Sequence, residues 1–166
     1  MVLIFVLVII QVLLTNTDNN TNSNMDISTE SVTHNQEIQK EKIWEISIEK
    51  IELHAQIRDG VDSQNLDEYV GHFKQSGYLF GNVALAAHNR GYPVNYFKDI
   101  KNLEIGDKIY YRFGWLNLKY IVYSNRIIKD TDVDIVENTK ENIITLITCV
   151  ENKPNERRCV QGKLKF

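Results

Sequence analysis

One thiol sits where an apolar run stops: Ile143-Ile144-Thr145-Leu146-Ile147-Thr148 leads directly into Cys149. A charged, turn-prone segment, 151–156, follows, and the chain leaves it through Arg157-Arg158. A thiol close to guanidiniums can be held partly as thiolate, the form that attacks carbonyl carbon. The other reading of Cys149 is a small buried hydrophobe that happens to be sulfur, and these residues alone leave both open. A second reactive group, His88, ends another apolar run, Val83-Ala84-Leu85-Ala86-Ala87. A cysteine nucleophile needs a proton carrier for a leaving amine and a cationic or N–H donor for the oxyanion, and His plus Arg supply both. Such partners meet only in the fold, so their separation in sequence neither supports nor opposes the grouping.

The elements that must position them follow from the pattern. The runs ending at His88 and Cys149 are apolar on both alternate faces, which suits inner strands. From Lys42 onward Ile43, Ile46, Ile48, Ile51 and Leu53 are spaced by polar residues, giving two short strands or one bent one. Arg58-Asp59-Gly60 signals a turn, 65–70 one or two helical turns, and Gly71-His72-Phe73 and Ser76-Gly77 loops. Residues 96–103 suit a short helix presenting Tyr96, Phe97, Ile100 and Leu103 to the core. Strands are expected at 108–112, 116–125 and 159–166. Many short strands with little room for helices point to a mainly β, closed or nearly closed barrel. A parallel α/β organisation is not expected, because the connections are too short for crossover helices.

At 166 residues and 43% hydrophobic content the chain suits one domain with one core. Its net charge of -3, with both signs interspersed, carries no nucleic-acid footprint. Two cysteines are too few for a disulfide framework, although one bridge remains possible. Residues 1–14 are apolar except for Gln11, about as long as a signal-peptide core and shorter than the roughly 20 residues that span a bilayer as a helix. No Lys or Arg precedes the run and no small-x-small cleavage site follows it. This favours an uncleaved membrane anchor whose upstream end is missing, with a cleaved signal peptide as the alternative; either way the remainder is exported. Residues 15–40, rich in Asn, Thr and Ser, cannot bury enough apolar surface to offset their ordering entropy and read as a flexible tether, with His34 solvated inside it. The folded domain is then 41–166.

Several stretches together resemble one family. These are Gly81-Asn82-Val83-Ala84-Leu85-Ala86-Ala87-His88-Asn89, the later Leu103-x-x-Gly106-Asp107-x-Ile109, Thr145-Leu146-Ile147-Thr148-Cys149, and the closing Arg-x-x-Val-x-Gly-x-Leu from Arg157 to Leu164. In that order, from about Ile46 to the C-terminus, they resemble a sortase, the Gram-positive cell-surface cysteine transpeptidase, of a class A- or D-like kind. The apolar N-terminus and polar tether fit that family's topology. Glu49 stands where the family's first strand commonly has Pro, and Ala87 where Gly is common. The resemblance implies a closed eight-stranded β-barrel with short helices and a groove on its outer wall. It also implies Cys149 as nucleophile, His88 as general acid and base, and Arg157 as oxyanion and substrate ligand. Cleavage of an L-P-x-T-G-like sorting signal on a secreted protein would pass through a thioacyl enzyme, resolved by an amine of a cell-wall precursor or a pilin. The implied place is the cell membrane, with the catalytic domain outside.

No cofactor or metal is called for. Asp130, Asp132, Asp134 and Glu137 lack the Gly and terminal Glu of an EF-hand and read as a solvated loop. His72 resembles a non-catalytic position of the family, and Cys159 reads as a structural or idle thiol that could bridge Cys149 under oxidation. Two other classes stay open: a secreted thiol peptidase using water, and a non-catalytic tethered β-barrel that binds peptide.

Overall fold

The computed structural model describes residues 43–166. The anchor and tether expected at 1–14 and 15–40 lie outside the described residues. Among the described residues no helix is long and apolar enough to cross a membrane.

Eight strands close into a barrel. They are β1 (Trp44–Ile48), β2 (Leu53–Asp59), β3 (Val70–His72), β4 (Asn82–Ala86), β5 (Lys108–Phe113), β6 (Leu116–Lys129), β7 (Ile143–Val150) and β8 (Lys153–Leu164). Around the barrel they run β1-β2-β3-β4-β7-β8-β6-β5, and β5 pairs back onto β1. Residues 43–53 thus hold β1 and the start of β2, joined by a 3-10 turn, Glu49–Ile51, that Glu52 ends at φ 51°. Two neighbouring pairs are parallel, β2 with β3 and β4 with β7. Short connections rule out a doubly wound sheet, but not parallel neighbours whose chain path passes through other strands, as β5 and β6 intervene between β4 and β7.

The interior is filled by alternate residues of these strands: Ile46 and Ile48, Val83 and Leu85, Ile109 and Tyr111, Tyr120 and Val122, Ile144 and Leu146, and Val160. Phe97, Ile100 and Leu103 plug one side of this core. The face expected for 96–103 is therefore correct, but the helix shrinks to a 3-10 turn, Ile100–Asn102. The helical turn expected at 65–70 begins earlier, as α1 (Ser63–Leu66), because Asp62 caps it by accepting the Asn65 N–H at 3.1 Å.

A second, smaller cluster lies on the other face of β4, β7 and β8. There Ala84, Ile147 and Cys159 are covered by Val136 and Ile135 from the 3-10 turn Val133–Val136. Asn82 pins that turn down. Its Nδ2 donates to Ile135 O (2.9 Å) and Glu137 O (3.0 Å), and its Oδ1 accepts from Thr145 Oγ1 at 2.7 Å. Gly81 precedes it at φ +80°, where a Cβ would also collide with the Asn138 side chain. Truncating Asn82 removes the partner of two half-buried carbonyls and the acceptor of the buried Thr145 hydroxyl. Asn82→Ala is expected to cost about 3 kcal/mol of stability, read from the denaturant midpoint; a loss below about 0.5 kcal/mol, the range of a neutral surface change, would mean that water replaces the side chain.

Candidate active site

Strand β7 carries its interior face through Ile144, Leu146 and Thr148, so Cys149 falls on the same face as Ile147, at the exposed end of the strand. Thr148 is buried and donates its hydroxyl to Ala87 O at 2.7 Å, which ties the β4 exit to the β7 end. Ala86 is level with Ile147 in the parallel pairing, and the Ala87 N–H reaches Ile147 O at 3.3 Å. β4 ends there, and His88 follows two residues after Ala86 as Cys149 follows two residues after Ile147. Asn89 fastens the next step, its Nδ2 donating to Cys149 O at 2.7 Å. Arg90 then closes onto Glu151, and its second nitrogen donates to Asn152 Oδ1 at 3.1 Å. Sequence reasoning did not single out Asn89, Arg90, Glu151 or Asn152. The only signal was that opposite charges stand in the two segments that follow the reactive residues.

The His88 side chain is 12% exposed and stacks on Tyr92, with ring centroids 3.4 Å apart and planes 5° from parallel. Its Nε2 lies 3.5 Å from Asp67 Oδ1, and among the described residues neither of these buried atoms has a hydrogen-bond partner. Burial pulls the imidazole below its ordinary pKa, and the Asp67 carboxylate opposes that shift.

On β8 the register places Arg157 opposite Cys149 and Arg158 opposite Thr148. Cross-strand partners share a face, so Arg157 is on the side of Cys149 and Arg158 on the side of the interior residues. The Arg157 guanidinium bonds back to Pro154 O (2.7 Å) and Glu156 O (2.8 Å). Arg158 donates to Asn125 Oδ1 at 3.1 Å. A cleft of about 240 Å³ opens beside the thiol, lined by Cys149, Thr148, Asn89, Phe97, Lys101 and Arg158 among others.

The remaining candidates have other surroundings. His72 is fully buried between Trp44 and Tyr78, its Nδ1 2.9 Å from Asp59 Oδ1 and its Nε2 2.9 Å from Ser76 Oγ. The chain of contacts imitates an Asp-His-Ser relay. Ser76, however, is buried, donates to Phe73 O (2.7 Å) and accepts from the Ala84 N–H (3.1 Å), so its hydroxyl has no freedom to attack anything. Cys159 is completely buried, and burial pushes its thiol up to about 11. The bridge considered between the two cysteines does not suit this register. Cys159 pairs with Ile147 and Cys149 with Arg157, making the thiols diagonal neighbours. Their Cα atoms are then roughly 7–8 Å apart, too far for an unstrained disulfide. In the acidic loop Asp132 Oδ2 accepts the Lys129 N–H at 2.9 Å, and no group of three or more His, Cys, Asp or Glu suited to a metal occurs among the described residues.

The class of protein is set by a closed eight-stranded β-barrel, which here carries an exposed cysteine at the end of β7 and an arginine across the ladder from it. The sortase-domain family profile matches residues 46–165, and the chain belongs to the sortase family. It is 33% identical over 122 residues to sortase A of Bacillus anthracis, a match covering 73% of this chain and 58% of that protein. The matched region thus spans less than two thirds of that relative. Among solved structures it is similar to a Clostridium perfringens sortase D5 transpeptidase (28% identity, TM-score 0.68, covering 75% of this chain and 79% of that one). It is also similar to Listeria monocytogenes sortase A (26% identity, TM-score 0.69, covering 75% and 88%).

Proposed function

We propose that this chain is a cysteine transpeptidase that cleaves an L-P-x-T-G-like sorting signal on a secreted protein and passes the acyl group to an amine. What supports the reading is the register: the parallel β4–β7 pairing runs to Ala86 opposite Ile147, two residues before His88 and Cys149, and on the β7–β8 ladder Arg157 is the partner of Cys149. The Cys149 thiolate attacks the carbonyl carbon after Thr. The Arg157 guanidinium, released from its own strand, receives the oxyanion, and His88 protonates the departing amine as the C–N bond breaks. A cell-wall precursor or pilin amine then attacks the thioester, gives up a proton to His88 and frees the thiolate. The apolar N-terminus holds the chain in the cell membrane, with residues 41–166 as the catalytic domain outside.

The test is product partition. With a sorting-signal peptide and added amine, the ligated peptide should rise with amine concentration at the expense of hydrolysed peptide. A product ratio indifferent to amine would identify a thiol peptidase that uses water.

The arginine assignment has its own test. Arg157→Lys or Arg157→Ala should lose on the order of a hundredfold in rate, the usual loss for one oxyanion donor, because an ammonium lacks the planar fork. Arg158→Ala should cost far less. A larger loss at Arg158, the arginine that lines the cleft, would move the oxyanion ligand to the interior-facing side of β8.

A further inference from the structure

We propose that Asp67 is the positioning residue of His88: its carboxylate receives the imidazole Nε2–H, Tyr92 fixes the ring plane, and Nδ1 is left as the edge that carries protons to and from substrate. This rests on reading His88 as the acid and base of the reaction. The starting point is a pair of atoms that ought not to be where they are. A buried nitrogen and a buried carboxylate oxygen, each without a hydrogen bond, cost free energy unless they serve one another. Asp67 Oδ1 and His88 Nε2 face each other at 3.5 Å, which is close enough for charge to act and slightly too long for a formed hydrogen bond. Catalytic hydrogen bonds are often long before substrate binds and tighten afterwards.

The surroundings fix both partners. Asp67 caps the end of α1 with its backbone N–H on Ser63 O, and its carboxyl group is 41% exposed, so Oδ2 meets water while Oδ1 turns inward. The segment carrying it is braced, because Tyr96 Oη donates to Glu68 O at 3.3 Å and the Arg58 guanidinium lies over the Tyr69 ring at 3.8 Å. The His88 O accepts the Phe97 N–H at 3.1 Å, and the parallel stack on Tyr92 holds the ring plane. Nδ1 has no hydrogen bond and does not share the burial of Nε2. Asp67 is the carboxylate within ion-pair distance of the ring. The other groups near it are the Tyr92 phenol, the Cys149 thiol at the end of β7, and Arg90, which is engaged with Glu151.

The protons balance as follows. In acylation the imidazolium, with Nε2–H on Asp67, gives its Nδ1 proton to the leaving amine as the C–N bond breaks, and becomes the neutral Nε2–H tautomer. In resolution the bare Nδ1 takes a proton from the attacking amine as the new C–N bond forms and the C–S bond breaks. Asp67 moves no proton itself.

The test uses the full chain with labelled histidine, the His88 signal being identified by its loss in His88→Gln. In the wild type, neutral His88 should be the Nε2–H tautomer by its nitrogen shifts; an Nδ1–H tautomer overturns the proposal without any variant. Asp67→Asn removes the charge and keeps the shape. The His88 titration midpoint should then move to lower pH, since burial acts unopposed, and the limb of the kcat–pH profile that reports His88 should move with it. At neutral pH kcat should fall on the order of tenfold or more with KM little changed, and Asp67→Glu should restore part of the loss, as for second-layer partners of functional histidines. An unmoved midpoint, or a loss in KM alone, overturns it. If wild-type chain formed no thioacyl adduct, the transpeptidase reading would fail, while the tautomer and midpoint would still decide whether Asp67 orients His88.

Discussion

Cys149→Ala should lose thioacyl formation and turnover completely while unfolding at the wild-type midpoint. The side chain lies at the exposed end of β7, outside both buried clusters, so removing its sulfur leaves no cavity in the core. Among the described residues, the two other nucleophiles weighed above are held back. Cys159 is sealed beneath Ile135 and Val136, and burial keeps its thiol protonated at neutral pH. Ser76 spends its hydroxyl on Phe73 O. The checks are intact mass after incubation with a sorting-signal peptide, and product release. Residual turnover above the rate of the uncatalysed reaction would point to a nucleophile elsewhere.

His88→Ala should lower turnover by about 10²- to 10⁴-fold, the range that a positioned proton carrier contributes. The fold should persist, because the residue belongs to the loop after β4 and its main tie, the His88 O to Phe97 N–H bond, is made by the backbone. The pH dependence has a definite sign. Only the imidazolium can protonate a leaving amine, and burial holds the His88 pKa below its ordinary value. The His88-dependent limb of acylation should therefore fall away at lower pH than for a solvated histidine, and the variant should lack that limb. Stopped-flow acylation across pH would show both effects. A profile unchanged in His88→Ala would assign the proton carrier to another group.

Much of this was legible because strands buried on both faces announce themselves. The run at 83–87 is wholly apolar and that at 143–148 is broken only by Thr145 and Thr148; their length and the β-branched content of the second favour inner strands over helices, and a reactive residue follows each. Polar strand was not legible. Residues 153–156 read as loop, yet β8 begins at Lys153, which pairs with Val150 of β7, and β6 supplies a partner from Glu156 onward, with Lys129 opposite Glu156 and Ile128 opposite Arg157. That partner is itself longer than expected, continuing past Asn125 to Lys129. Two exposed strand ends support each other through backbone hydrogen bonds, which leave no mark in side-chain pattern. The same limit hid Asp67. Its relation to His88 depends on α1 ending beside the β4 exit, a contact between segments that no local spacing encodes. Which of Arg157 and Arg158 shares a face with Cys149 follows from alternation along β8 once the β7–β8 register is known.

The most direct measurement of the central claim is the mass and location of the adduct formed when the chain meets an L-P-x-T-G-like peptide without added amine. Intact mass should rise by that of the peptide fragment ending in Thr less one water, and fragmentation should place the addition on Cys149 as a thioester that hydroxylamine removes. No adduct across a library of such peptides, or one located on Cys159, would contradict the account.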